Sequence, residues 1–181
     1  PMKIVTISGM PGSGKSTIAR LLAERLGVPK YSMGDLRGKL AQERGLTIDQ
    51  LNTLGEHEAF TDKDVDEYQT KLGERGESCV LDGRLSWHFI PSSFKIFLTV
   101  DPLEGARRIF EDKRAHDRPD EPLYASIEQA RLAIEQRVAS DQRRYQKYYS
   151  VDFADLSHYN LVIDSTNTSP EKIVEQILAS L

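Results

Sequence analysis

A chain with one cysteine in 181 residues cannot close an internal disulfide, and it has no thiolate set for a zinc site. Cys79 lies in an apolar run, where a buried thiol is the expected state. The four histidines, His57, His88, His116 and His158, lack the spacing of a metal site, and none is given a role. No run approaches the roughly 18 apolar residues that a membrane span requires. There is no excess of positive charge either. A formal net charge of −4 argues against nonspecific attraction to nucleic acid or anionic lipid, because such attraction comes from Lys and Arg neutralising phosphates. No nucleic acid and no membrane are expected as partners. A first strand pattern that begins at Lys3 leaves no room for a targeting leader, so a cytoplasmic protein is expected. Repeats and low-complexity tracts are absent.

What is present suits one soluble core. Hydrophobic residues make up 39% and charged residues 29%, and the length favours a single domain with small insertions. Residues 3–8 (KIVTIS) are β-branched and stop at glycine, as a buried parallel strand does. Ile18, Leu21, Leu22 and Leu26 then recur at helical spacing up to Gly27. A short strand at 30–32 and a helix at 35–44 follow. Residues 47–76 are polar and acidic, offer little apolar surface, and read as a mobile flap whose acidic run through Asp66 is a solvated face. Residues 78–82 and 95–100 read as two more strands. Pro102 opens a helix, residues 112–122 read as an exposed polar loop, residues 124–149 as a long helix, 161–164 as a last strand, and Pro170 starts a closing helix. Trp87, Phe89 and Phe94 are expected in the core. Strands alternating with helices imply an α/β fold, a parallel sheet covered on both faces with ligands at the carboxyl ends of its strands.

Gly9-Met10-Pro11-Gly12-Ser13-Gly14-Lys15-Ser16 fits G-x-x-x-x-G-K-[ST] in full, after a strand and opening a helix. The glycines let the backbone curl so that successive N–H groups and the helix amino end cradle phosphate oxygens. Lys15 can reach the β- and γ-phosphates, Ser16 offers a hydroxyl to Mg²⁺, and Thr17 can add an α-phosphate contact. ATP and Mg²⁺ are therefore the expected cofactors. Asp82-Gly83-Arg84 follows the third strand and should surface beside this loop. Asp82 could hold Mg²⁺ through water, and Arg84 could clamp an acceptor phosphate with two parallel hydrogen bonds. Arg37 and Lys39 follow the second strand at the same edge. On the long helix, Arg137, Asp141 and Arg144 are spaced four and three apart, so one carboxylate could hold both arginines for use on a transferring phosphoryl group. With Arg107, Arg108, Arg114 and Arg118 nearby, this region could close as an arginine-bearing lid, with Arg108 a candidate nucleotide contact.

Taken in order, GMPGSGKST, MGDLRGKLAQERGLTIDQLN, TDKDVDEYQ, VLDGRLSW and RVASDQRRYQKYY resemble the nucleoside monophosphate kinases, most closely the short archaeal-type cytidylate kinases and their bacterial relatives. The resemblance spans nearly the whole chain. It implies a P-loop NTPase three-layer sandwich with a five-stranded parallel sheet. The core would comprise residues 1–46, 77–106 and 138–181, with a helical acceptor-binding flap at about 47–76 and a short lid at about 107–137. It further implies transfer of the γ-phosphoryl group of ATP to a nucleoside monophosphate such as CMP or dCMP, by a monomer acting on small nucleotides. Arg84 would hold the acceptor phosphate, Gln69 would contact the base, and Arg37, Arg137 and Arg144 would complete the substrate set, with Lys15, Asp82, Arg84 and Arg137 the catalytic ones. Relatives carry arginine four residues after the glycine of the G-D segment. Here that position is Gly38, and Arg37, one place earlier, is turned by about 100° on a helix. A kinase for a non-nucleotide acceptor, such as a shikimate-like compound or sugar acid, would share the core and differ in the flap. A switch or assembly factor with slow ATP hydrolysis would have no acceptor. The guanine signature asparagine-lysine-x-aspartate is absent from the last strand's loop, residues 164–167, whose backbone could instead contact adenine.

Overall fold

The computed structural model describes residues 3–115 and 123–181. Five parallel strands run in the order β2-β3-β1-β4-β5. They are β1 (Ile4–Gly9), β2 (Lys30–Ser32), β3 (Cys79–Asp82), β4 (Phe94–Thr99) and β5 (Leu161–Asp164). All six residues of β1 are buried, as befits a central strand covered on both faces. Its register against β3 sets Ile7 beside Asp82, and against β4 sets Gly9 beside Leu98. The residues after β1 and β3 therefore emerge side by side on one edge, the geometry expected from the sequence.

Two apolar layers enclose the sheet. On one face α1 (Lys15–Leu26) and α8 (Pro170–Ser180) bury Ile18, Leu22, Ile173 and Ile177 against Val5, Ile7 and Ile96. On the other face lie α2 (Met33–Glu43), α3 (Ile48–Gly55), α4 (Phe60–Arg75) and α5 (Ser86–Phe89). Val65 and Leu72 of α4 pack with Ile4, Met33, Leu81 and Ile90. This corrects the expectation that residues 47–76 lack apolar surface: Ile48, Leu51, Val65 and Leu72 are spaced to form narrow buried stripes within two polar helices. Thr47 and Gln50 close a capping box at the start of α3.

Helix α6 (Pro102–Ala115) runs four residues into the stretch read as loop, and α7 (Ile127–Tyr149) starts three residues later than expected, at a Ser126 cap. His116 and Arg118 lie outside the described residues, as does the side chain of Arg114. A third cluster joins Trp87, Phe97, Tyr145 and Phe153, with Phe89 beside it, while Phe94 packs on the first layer. Trp87, Phe89 and Phe94 are core, as expected. No helix of the described residues is long and apolar enough to cross a membrane.

Candidate active site

The loop after β1 is shaped by two close approaches. Gly9 crosses β4 so tightly that a Cβ would stand 2.4 Å from the Leu98 carbonyl oxygen. Gly12 has φ +80° and abuts Gly105 of α6, whose carbonyl oxygen lies 2.3 Å from where a Cβ would be. Ser13 Oγ is buried without a hydrogen-bond partner. Lys15 Nζ donates to the carbonyls of Gly9 (3.3 Å) and Met10 (3.2 Å), curling back over the loop. Burial, reinforced by the nearby Arg84 guanidinium, pushes the Lys15 ammonium down to about 8.

Ser16, at the start of α1, donates from Oγ to Asp82 Oδ2 at 2.8 Å. A hydroxyl and a carboxylate at this spacing beside the loop are the hard oxygen donors that Mg²⁺ takes when phosphates supply the other ligands. Among the described residues no group of three or more His, Cys, Asp or Glu forms a metal cage. The donor set therefore suits a cation that arrives with a nucleotide. Thr17 is exposed on the first turn of α1, Met10 leans on the Trp87 cluster, and Pro11 is buried.

Arg84 follows β3, as expected. Its backbone carbonyl accepts from Ser8 Oγ (3.0 Å) and from the Trp87 indole Nε1 (2.9 Å), which fixes the peptide that carries the side chain. Its Nη1 lies 2.8 Å from Asp141 Oδ2. From there opposite charges alternate inward. Asp141 Oδ1 pairs with Arg144 Nη1 (2.9 Å), Arg144 Nε with Asp62 Oδ2 (3.1 Å), and Asp62 Oδ1 with Arg37 Nη1 (2.9 Å). Arg144 is 1% exposed. Burial alone would raise the Asp141 carboxyl; Arg84, Arg144 and Arg37 outweigh it and hold the group below its usual range. Arg37 is further held by Asn52 Oδ1 (2.8 Å) and the Thr61 carbonyl (2.7 Å).

Two expectations change here. Asp141 holds Arg144 and Arg84, not Arg144 and Arg137. Both its oxygens are taken, and Arg137, one turn earlier, meets the Asp49 carboxylate in the first turn of α3 at 3.2 Å. The acidic run on α4 is only partly solvated: Asp64 and Glu67 are exposed, whereas Asp62 is buried and Asp66 is half-buried. Lys39 stays in solvent.

Beside this ladder lies a cleft of about 390 Å³. Lys15, Ser16, Asp82 and Arg84 border it from the strand ends, Arg37 from α2, Arg137 and Arg144 from α7, and Asp66 and Gln69 from α4. Gln69 is buried, its Oε1 accepting from Ser86 Oγ at 2.5 Å. Arg108 stands apart from that cleft. It reaches the carbonyls of Gly12 (3.3 Å), Ser165 (2.7 Å) and Thr166 (3.1 Å), tying the glycine loop to the loop after β5. The sequence reading missed Asp49, Asn52, Asp62, Asp66 and Gly105. Only the α4 acids carried a readable signal, since 62, 66 and 69 fall on one helix face with Val65 beside them.

The profile of the cytidylate kinase-like family matches residues 4–167. The cytidylate kinase of Archaeoglobus fulgidus is 33% identical over 98% of this chain and 93% of its own length. That of Methanothrix thermoacetophila is 39% identical over 90% of this chain and 88% of its own. Among solved structures, an uncharacterized protein from Eubacterium ventriosum superposes with a TM-score of 0.70 at 18% identity, covering 99% of this chain and 98% of that one. A shikimate kinase from Acinetobacter baumannii gives 0.61 at 16%, covering 99% and 92%. At these identities the two structures speak to the fold alone.

Proposed function

The chain belongs to the cytidylate kinase-like family and is an ATP-dependent nucleoside monophosphate kinase; from that premise we propose that CMP or dCMP is its acceptor and that the cleft beside Arg84 receives it. The observation that carries the site is the shared edge of β1 and β3. It brings the glycine loop and a fixed guanidinium together at one end of the same cleft.

ATP would lie on the glycine loop, whose N–H groups and α1 amino end meet the phosphates. Lys15 exchanges the Gly9 and Met10 carbonyls for β- and γ-phosphate oxygens. Ser16 and, through water, Asp82 would hold Mg²⁺, which would supply neutralisation of charge on the transferring group. Arg84 offers guanidinium donors to the acceptor phosphate, while Asp141 keeps it aimed. The nucleophile is an oxygen of that phosphate, so the protein's work is positioning and electrostatics, without a covalent intermediate. Arg37, paired with Asp62, and Arg144, paired with Asp62 and Asp141, would hold the ladder rigid. Arg137, which also lines the cleft, would approach the transferring group. Arg108, bonded to the Ser165 and Thr166 carbonyls, would present the loop of residues 164–167 to the adenine. Residues 47–76 would close over the acceptor and exclude competing water, while the lid expected at about 107–137 lies in part outside the described residues.

ADP release from Mg·ATP, measured with CMP, dCMP, UMP, AMP, GMP, shikimate or gluconate against a blank, tests this reading. Strong stimulation by CMP or dCMP is expected. A panel flat at the blank, or stimulation by shikimate or gluconate alone, overturns it.

A further inference from the structure

On one face of α4, two carboxyls a single turn apart have different fates. Asp62 is wholly engaged, its oxygens shared between Arg37 and Arg144. Asp66 borders the cleft, is half-buried, and makes no hydrogen bond or ion pair through its carboxyl among the described residues. Three residues further on, Gln69 borders the same cleft with its carbonyl oxygen already committed to Ser86. That commitment turns its amide N–H₂ into the group left for a ligand. A rise of about 4.5 Å along the helix separates the two positions, comparable to the breadth of a pyrimidine's hydrogen-bonding edge. Lys15 and Arg84 take the phosphate end of the cleft. A polar pair at the α4 end, flanked by the apolar Val65 and Met33, is where the base of a bound monophosphate would fall.

We propose that Asp66 reads the acceptor base as a neutral carboxylic acid. Its O–H donates to the unprotonated ring nitrogen of an aminopyrimidine, its carbonyl oxygen accepts from the adjacent exocyclic amino group, and the Gln69 amide donates to the ring carbonyl. An ionised carboxylate would face the ring nitrogen's lone pair with a lone pair of its own, and half of the pairing would be repulsive. Uracil presents a carbonyl oxygen where cytosine has its amino group, and that oxygen is a weaker acceptor than the ring nitrogen of cytosine. The charges around Asp66 favour the neutral form. Burial comes first and the Asp62 carboxylate second, with Glu67 adding to them on α4; Arg37 from α2 and Arg144 from α7 oppose, but Asp62 stands between them and neutralises both. The Asp66 carboxyl is thereby pushed up to about 8 and keeps its proton at neutral pH.

This inference rests on the proposal that CMP is the acceptor, and deepens it. The test is kcat and KM for CMP and UMP between pH ~6.5 and ~9 in wild type, Asp66→Asn and Asp66→Ala. An asparagine amide keeps one donor and one acceptor at every pH. In wild type the KM for CMP should rise as pH passes about 8. Asp66→Asn should hold KM within about threefold of wild type at neutral pH and lose that rise. Asp66→Ala, which removes two hydrogen bonds, should raise KM for CMP roughly 10- to 100-fold, move kcat far less, and narrow the preference for CMP over UMP. Lys15 titrates in the same window in wild type and Asp66→Asn alike, so the difference between the two profiles belongs to Asp66. Should Asp66→Ala fail to fold, that difference decides alone. An Asp66→Asn variant with a raised KM at neutral pH, or profiles that superimpose, would overturn the neutral-acid reading. Wild type that does not phosphorylate CMP at all would bring down the function proposal and this inference together, whereas intact CMP turnover with the wrong variant behaviour brings down this inference alone.

Discussion

At the scale of single residues, charges held away from water define the site. Lys15, lowered to about 8, is partly deprotonated in slightly alkaline solution and regains its proton when phosphates surround it. ATP binding near pH 8 should therefore take up protons, read by calorimetry in buffers of different ionisation enthalpy. Lys15→Ala should abolish both the uptake and phosphoryl transfer. Asp62 is the hinge of the charge ladder. Asp62→Ala leaves Arg37 and Arg144 buried with no carboxylate between them, and it should cost about 3–5 kcal/mol in urea unfolding. For Asp66 the sign is opposite. Its carboxyl is raised from 3.8 to about 8 on folding, so the cost is absent below the unfolded value and complete above the folded one. Asp66→Asn should raise Tm relative to wild type at pH 9 and much less at pH 4. The loop lysine, Ser16, Asp82 and Arg84 were legible because each belongs to a short motif next to a strand. The partners of Arg37 and Arg144 were not: Asp62 lies 25 and 82 residues away in sequence, and no local pattern relates them.

At the scale of elements, β1, β3, β4 and β5 read cleanly because each carries a compact apolar run ended by a turn. Helix α4 was misjudged because two buried apolar residues, Val65 and Leu72, anchor a helix that is otherwise polar. The contact between the glycine loop and α6 could not be read from sequence, as it joins Gly12 to Gly105, 93 positions further on. Gly12→Ala would place a Cβ on a left-handed backbone and against the Gly105 carbonyl. The loop must shift. ATP affinity should fall about tenfold or more, the equivalent of ~1.4 kcal/mol, with far-UV circular dichroism unchanged.

At the scale of the whole molecule, the proposed acceptor side is built by α2, α3, α4 and α7, and the proposed nucleotide side by β1, α1 and α6. Arg84 stands between them, and its peptide is pinned by the indole of Trp87, the chain's one tryptophan. An indole N–H that shares a carbonyl with Ser8, at the root of the residue proposed to grip the acceptor, is a built-in optical reporter. Emission from Trp87 should change in wavelength or intensity as CMP fills the cleft, respond weakly to ATP alone, and lose the CMP response in Arg84→Ala. Stopped-flow fluorescence could then time acceptor binding in the unlabelled protein, separately from the chemistry that follows.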